Sequence, residues 1–471
     1  MKKTFISLLL AVLSLASMSG DWSMFRGPNA SGVAKATDLP VEFSPEKNLV
    51  WKTSLIPGHS SPVFTETSIF LTGWQDDMLF TFAINRSNGK ILWRQKIKRK
   101  RKGKLHNDNN PASPSPVTDG KNVYVFFQDV GLLSYDTHGN ERWRIPLGPF
   151  NNPMGMGASP ILADGYIIQV CDSESDSFIF AADKETGEIA WHKKRPLAAR
   201  GFATPILYKP KDSEELQVLV SGSFQLEAYS VTSGRKVWWI RGLTWQLKPT
   251  PVMDEDTIYV QNWAGNADLG EQKDVISLTE ALKKYDKDGD DALSPEEVSE
   301  PAIIKNWEKF DLDRDGVMGR RDWEFYRMRS SAVNAVQAIR LGGRGDMTEG
   351  AFRWRHYKTL PNVPSPLLYQ KILYTMKEGG ILTAFNSQTG KILKQGRLRN
   401  ALGRYFSAPI AADNKVFVVS EEGKLSVLRA GADWKVLATN DMGDPCYATP
   451  AILDGKIYVR STTTLYCFAK L

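Results

Sequence analysis

Cysteine is scarce: Cys171, Cys446 and Cys467 are the only three in 471 residues, too few and too scattered for a disulfide framework or a zinc cluster. They read as small buried hydrophobes. No two cysteines are adjacent, and no Cys-x-x-Cys-His haem-attachment motif occurs. Long apolar runs are missing too. After the N-terminus no stretch approaches the roughly 20 apolar residues that cross a bilayer. The short run from Phe5 to Ala16 follows Lys2 and Lys3 and leads to Ser17 and Ser19, which reads as a signal peptide over 1–19. No cysteine stands near that cleavage point, so lipid attachment there is not indicated. The expectation is a periplasmic or secreted protein with no transmembrane segment once the signal is removed.

Nucleic-acid binding is also disfavoured. The densest basic run, Lys98-Arg99-Lys100-Arg101-Lys102 with Lys104, has no interleaved aromatic residues on which bases could stack, and it reads as an exposed loop. The formal net charge of +7 becomes +5 without Lys2 and Lys3. It is unevenly spread: residues 268–330 carry 17 acidic and 11 basic side chains, leaving about +11 on the rest of the mature chain. A basic body with an acidic segment suggests affinity for anionic surfaces.

What the chain has in abundance is repetition. A Ser, Thr or Ala followed by Pro recurs at Pro62, Pro116, Pro160, Pro205, Pro251, Pro366, Pro409 and Pro450, at intervals of 54, 44, 45, 46, 115, 43 and 41 residues. Six of the seven intervals fit a unit of about 45 residues, and the seventh fits one unit plus some 70 extra. Each proline leads to an apolar stretch, a polar turn such as Asp119-Gly120 or Asp454-Gly455, and a β-rich run such as Val123-Tyr124-Val125-Phe126. A second signature follows, with Trp four residues after a turn Gly: Gly89 to Trp93, Gly139 to Trp143, Gly187 to Trp191, Gly234 to Trp238 and Gly350 to Trp354. The sixth unit has Lys394 at the Trp position, and the seventh, around Trp434, is irregular.

Four short strands per unit of this size make a propeller blade. The prolines count eight. The last unit, from Tyr447 to Leu471, lacks its Trp strand, and an orphan strand of that type, Asn48-Leu49-Val50-Trp51-Lys52, stands near the N-terminus. Pairing the two closes the ring and leaves no open sheet edge. The expected fold is therefore all-β, an eight-bladed β-propeller with seven blades as the alternative, carrying a small α-helical insertion. On this reading 20–47 is a lead-in, 48–267 and 331–471 form the propeller, and 268–330 is the insertion. Trp51 should matter more to stability than Trp22, which precedes the first strand.

The element Asp183-Lys184-Glu185-Thr186-Gly187-Glu188-Ile189-Ala190-Trp191 resembles the tryptophan-docking motif of the pyrroloquinoline-quinone (PQQ) repeat propellers. The lead-in Asp21-Trp22-Ser23-Met24-Phe25-Arg26-Gly27-Pro28 resembles that of many secreted bacterial members. The resemblance covers nearly the whole mature chain outside the insertion. It implies that the tryptophans pack between neighbouring blades rather than forming a cofactor cage.

Within the insertion the period changes. Ile276, Leu278, Leu282 and Tyr285 are spaced for an amphipathic helix, as are Ile303, Ile304, Trp307 and Phe310. Each helix runs into a carboxylate-rich loop. The first, 286–297, offers Asp286, Asp288, Asp290, the carbonyl of Ala292 and Glu297, with Ser294 as a further oxygen. This is the schedule of an EF-hand calcium loop, in which the last carboxylate supplies two oxygens. Asp291 stands where Gly is expected, and Asp tolerates positive φ better than most residues. The second loop, 311–322, offers Asp311, Asp313, Asp315, the carbonyl of Val317 and Asp322, and it keeps the turn glycine Gly316. Asp322 is one methylene shorter than Glu, so this site is expected to be the weaker. Leu293 and Met318 hold the eighth positions, where paired loops join through a short β contact. The loops begin only 25 residues apart, which implies a compact pair with a shortened link, helped by Pro301.

The loops before each proline should rim one mouth of the central channel and offer His59, Asn110, Met156, Arg200, Gln246, Lys248, Arg404, Tyr405 and Tyr447. No paired carboxylates stand among them to hold a metal and act as a base, so no catalytic residue is assigned. The family resemblance implies two possibilities. One is a non-catalytic binding or scaffold propeller of the BamB kind, with a protein or anionic glycan as partner and calcium as its ion. The other is a PQQ-dependent dehydrogenase of an alcohol or sugar, for which no specific residue speaks. A monomer is expected.

Overall fold

The Ser/Thr/Ala-Pro repeat marks the innermost strand of each blade in the computed structural model, which describes residues 22–471. The expected signal peptide, 1–19, lies outside the described residues. After each proline a two- or three-residue inner strand leads into two central strands rich in β-branched and aromatic residues. In blade 2, Val123–Phe127 and Gly131–Tyr135 are buried at every position. The fourth, outer strand is wet, as in Ile91–Lys98. A continuous apolar run for a strand covered on both faces, and an alternating one for the rim, is what the packing demands.

Eight such sheets form. Blades 1 to 4 begin at Val63, Val117, Ile161 and Ile206, and blades 5 to 8 at Val252, Leu367, Ile410 and Ala451. The ring closes as the orphan strand requires. Leu49–Ser54 pairs antiparallel with Thr464–Phe468, with Trp51 opposite Cys467, so the last blade combines both ends of the chain. The count is eight, not seven.

The tryptophan and the turn glycine work between blades. Trp51 lies on Gly89 of blade 1, Trp93 on Gly139, Trp143 on Gly187, Trp191 on Gly234 and Trp354 on Gly390. A Cβ on any of these glycines would come within 2.5–2.8 Å of the indole, and each glycine also has positive φ. Every one of these indoles donates its Nε1–H to a carbonyl of the same neighbouring turn; Trp191 to Val231 is 2.7 Å and Trp354 to Ser387 is 2.7 Å. Trp238 departs from the pattern. It is fully buried and donates to Gln217 within its own blade, and an extra parallel strand, Gly345–Asp346, lies on its outer strand.

The hydroxyls of the repeat have a matching role at the axis. The backbone N–H of Ser61 donates to Ser115 Oγ, Ser115 to Ser159, Ser159 to Thr204, Thr204 to Thr250 and Thr250 to Ser365, all at 2.9–3.1 Å. Ala408 donates to Thr449 and Thr449 to Ser61, both at 3.0 Å. One link differs, because Ala408 has no hydroxyl to offer Ser365. The lead-in bridges the same two blades: Arg26 Nη2 donates to the carbonyls of Pro366 at 2.7 Å and Pro409 at 3.4 Å. Trp22 is buried against Gly27 and shares a cluster with Trp51 and Phe64, which runs against the expectation that it matters less to stability than Trp51.

The extra residues leave blade 5 between Thr257–Asn262 and Ala335–Arg340, and Asn262 pairs directly with Ala335 at the base. They form α1 (Leu278–Tyr285), two single turns α2 (Pro301–Ile304) and α3 (Trp307–Phe310), and α4 (Arg320–Ser331). Ser277 caps α1 with Glu280 in a reciprocal capping box, so Ile276 stays outside the helix and is exposed. The second expected helix is broken at Asn306, and Ile304 points to solvent.

Candidate calcium loops and the channel mouth

In the first loop the carboxylates of Asp286, Asp288 and Asp290 have oxygens within 4.8 Å of one another, and in the second those of Asp311, Asp313 and Asp315 do the same. The backbone makes this possible. Gly289 and Asp291 in the first loop have φ of 77° and 63°, and Arg314 and Gly316 in the second have 64° and 95°. Asp291 thus adopts the left-handed conformation that glycine supplies at the same position of the second loop. The loops are joined by two backbone hydrogen bonds between Leu293 and Met318, of 3.2 and 2.8 Å, and both side chains are fully buried.

The closing carboxylates differ. Glu297 accepts from the N–H of Lys287 and from the N–H and hydroxyl of Ser294, and these hold its pKa at about 2. Asp322 is buried, accepts from Leu312 and Gly319, and is pushed up to about 6 by burial together with the charges of Asp313 and Asp311. All-oxygen donor sets with no nitrogen or sulfur suit a hard divalent cation. Ala292 and Val317 stand two residues after the third aspartate of their loops.

The insertion is docked, not tethered. Arg321, next to Asp322, donates to the carbonyls of Pro196, Glu174, Ser175, Ser173 and Ala198 of blade 3, and Asn151 donates to the Leu312 carbonyl at 2.9 Å. Leu278, Trp323 and Phe325 share one hydrophobic cluster with Phe224 and Trp245 of the propeller.

The mouth of the channel is a cavity of about 410 Å³ walled by Phe202, Trp263 and Phe406, with Phe25 of the lead-in also lining it. Of the expected mouth residues, His59, Gln246, Lys248 and Tyr447 line it. His59 stacks on Tyr447 at 4.1 Å, and burial, with Arg460 nearby, pulls its pKa down to about 4, so the ring is neutral. Lys248 donates to Asn362 at 2.9 Å and Gln246 at 3.3 Å, and burial lowers its pKa to about 8. The remaining candidates are used elsewhere. Asn110 and Met156 are buried, and Tyr405 donates to Ala401. Arg200 pairs with Glu174, while Arg404 pairs with Asp108 at 2.9 Å and Glu421 at 2.6 Å. Glu421 lies 17 residues from Arg404 and Glu174 lies 26 from Arg200, whereas Asp108 lies 296 from Arg404, and no local pattern points to it.

The chain is thus an eight-bladed propeller with a helical, acid-looped insertion over one face. Residues 81–276 and 316–470 match the PQQ_2 family, described as outer membrane protein assembly factor BamB, and the chain belongs to that family. A BamB of Shewanella oneidensis is 22% identical over 267 residues, covering 53% of this chain and 65% of that relative's length. BamB from Moraxella catarrhalis superposes with a TM-score of 0.56 at 13% identity, covering 90% of this chain and 97% of that one. A europium-containing methanol dehydrogenase gives 0.60 at 9% identity, with 96% and 98% covered. A quinohemoprotein alcohol dehydrogenase from Comamonas testosteroni gives 0.58 at 14%, with 96% and 81% covered. At these identities the three structures speak for the fold.

Proposed function

We propose that the chain is an extracytoplasmic calcium-binding propeller that acts as a binding or scaffold protein. The observation that carries the calcium reading is the convergence of three aspartates in each loop, on backbone already turned to hold them. The scaffold reading rests on the family, whose described member is an assembly factor, and on a mouth whose arginines are neutralised by Glu174, Asp108 and Glu421. The partner is a protein or an anionic glycan. The first loop is the tighter site, since Glu297 reaches further than Asp322. Calorimetric titration of the purified mature chain with calcium tests this directly: two unequal sites are expected, with Glu297→Gln losing more affinity than Asp322→Asn. Heat changes no larger than dilution, or a tighter second loop, would overturn it.

The alternative is a PQQ-dependent dehydrogenase of an alcohol or sugar, favoured by the aromatic walls of the axial cavity and by Lys248 within it. The residues there fit a quinone with its own calcium poorly, because Asp108, the one carboxylate lining the cavity, is engaged by Arg404. Titration with PQQ, followed by quinone absorbance and dye-linked oxidation, decides between the two.

A further inference from the structure

The outer strand of every blade carries a β-bulge at the same place. Pairing skips Val50, Leu92, Arg142, Ala190, Val237, Arg353, Leu393 and Leu437, each standing where two residues oppose one. A bulge re-aims the extra side chain away from the ladder. What occupies that position divides the ring in two. On blades 2 to 5 it is accounted for: Arg142 pairs with Glu185, Ala190 is small, Val237 is buried, and Arg353 pairs with Asp256.

On the four consecutive blades 6, 7, 8 and 1 the bulge residues are Leu393, Leu437, Val50 and Leu92, exposed by 38%, 47%, 37% and 50%. Next to three of them stand further exposed aliphatics, Ile392, Val436 and Ile91, a neighbouring position that Ile189 also exposes on blade 3, so the bulge residue itself is what sets the two halves of the ring apart. An aliphatic residue thus recurs, exposed, at one rim position on four consecutive blades, which is a pattern and not a scatter of single exposed side chains.

The arc is set in positive charge. Lys391, Lys435 and Lys90 each stand two residues before their bulge residue and Lys52 two after, and Lys96 continues along the outer strand of blade 1. All five are exposed, and none makes an ion pair among the described residues. Basic side chains flanking exposed aliphatics complement a surface with anionic headgroups over an apolar layer. A soluble polyanion would use the lysines and leave the leucines in water. An added peptide strand beside such a bulge is short, as the two-residue Gly345–Asp346 is on blade 4.

We infer that the rim of blades 6, 7, 8 and 1 is a docking edge for an anionic phospholipid bilayer, with Val50, Leu92, Leu393 and Leu437 entering the acyl boundary and the neighbouring lysines on the headgroups. This goes beyond the scaffold reading and does not depend on the calcium loops.

The test uses the full mature chain with phosphatidylglycerol–phosphatidylcholine vesicles. Co-sedimentation is expected with these vesicles and not with phosphatidylcholine alone. Val50→Ser, Leu92→Ser, Leu393→Ser and Leu437→Ser combined should reduce binding roughly tenfold or more at unchanged circular dichroism. Equal binding by that variant would overturn the inference, as would full release in about 0.5 M salt with no dependence on the leucines. A second measurement stands apart from the folding of the quadruple variant. The three native cysteines are buried, so an environment-sensitive dye can be placed singly by Leu92→Cys or, as a control on blade 3, by Ala190→Cys. A blue shift on adding vesicles is expected for the first and not the second. Equal shifts, no shift, a shift with a soluble anionic polysaccharide instead, or a Leu92 label already shielded in an oligomer before vesicles are added would each overturn it.

Discussion

The backbone N–H of Thr250 donates to the hydroxyl of Ser365 at 3.0 Å, and the next link of that circle, from Ser365 to residue 408, meets an alanine. Ala408 lines the axial cavity, so an added hydroxyl has open space beside it. Ala408→Ser should complete the circle and raise stability by about 1 kcal/mol, the net worth of an ordinary hydrogen bond. Ser159→Ala should cost a similar amount or more, because it leaves the N–H of Ser115 unserved. Thermal unfolding of the two variants checks both signs.

Trp51 joins the two ends of the chain and covers Gly89, so Trp51→Ala should cost about 3–5 kcal/mol. Trp22→Ala should be comparably damaging, since Trp22 is equally enclosed. Gly89→Ala tests the same contact from the other side, because its new Cβ would lie 2.6 Å from the Trp51 ring at a φ of +74°. A mild effect for Gly89→Ala in denaturant unfolding would show that the joint between blades 8 and 1 is loose.

Asp291 sits at a φ of 63°, where glycine pays no Cβ penalty. Asp291→Gly should therefore tighten calcium at the first loop, whereas Gly316→Asp should weaken the second. Isothermal titration resolves the two, and an unchanged first site would show that strain at Asp291 does not limit affinity.

Removing residues 268–330 should leave the propeller's strands in place, since Asn262 and Ala335 already pair at the base of the insertion. The removal uncovers Phe224 and Trp245, which pack against Phe325 and its neighbours. Retained β circular dichroism, a lower melting temperature and new binding of a hydrophobic dye are expected. Arg321→Ala should produce part of the same loss by freeing the blade 3 carbonyls.

Asp119 offers a pH test. Burial opposes its ionisation, but the N–H of Asn122, the Lys184 ammonium and the N–H of Lys121 outweigh it and hold the pKa at about 2. The folded value lies below the unfolded value of about 3.9. Its stabilisation is therefore present above about pH 4 and is lost as pH falls toward 2. After allowance for solvent screening it is worth about 1 kcal/mol. Asp119→Asn should be less stable than the parent near pH 6, and the gap should close in acid.

Features set by neighbouring residues are legible along the chain. Strand alternation, the proline period and the turn glycines each depend on residues close along the chain, so eight blades and the closing strand at 48–52 could be read directly. The acidic loops were legible for the same reason: their carboxylates lie within twelve consecutive positions, and Asp291 adopts a positive φ. Tertiary structure alone decided the rest, because it depends on which distant segments the ring brings together. Gly89 and Trp93 are four residues apart, yet Trp93 docks on Gly139 and Gly89 receives Trp51. Arg404 meets Asp108 across 296 positions, which turned an apparent free cation at the mouth into a neutralised one. The exposed aliphatics of blades 6, 7, 8 and 1 fall on consecutive blades only because closure brings Val50 and Leu92 from one end of the chain round to Leu393 and Leu437 from the other, and which of them reach solvent is set by the bulges of the paired strands.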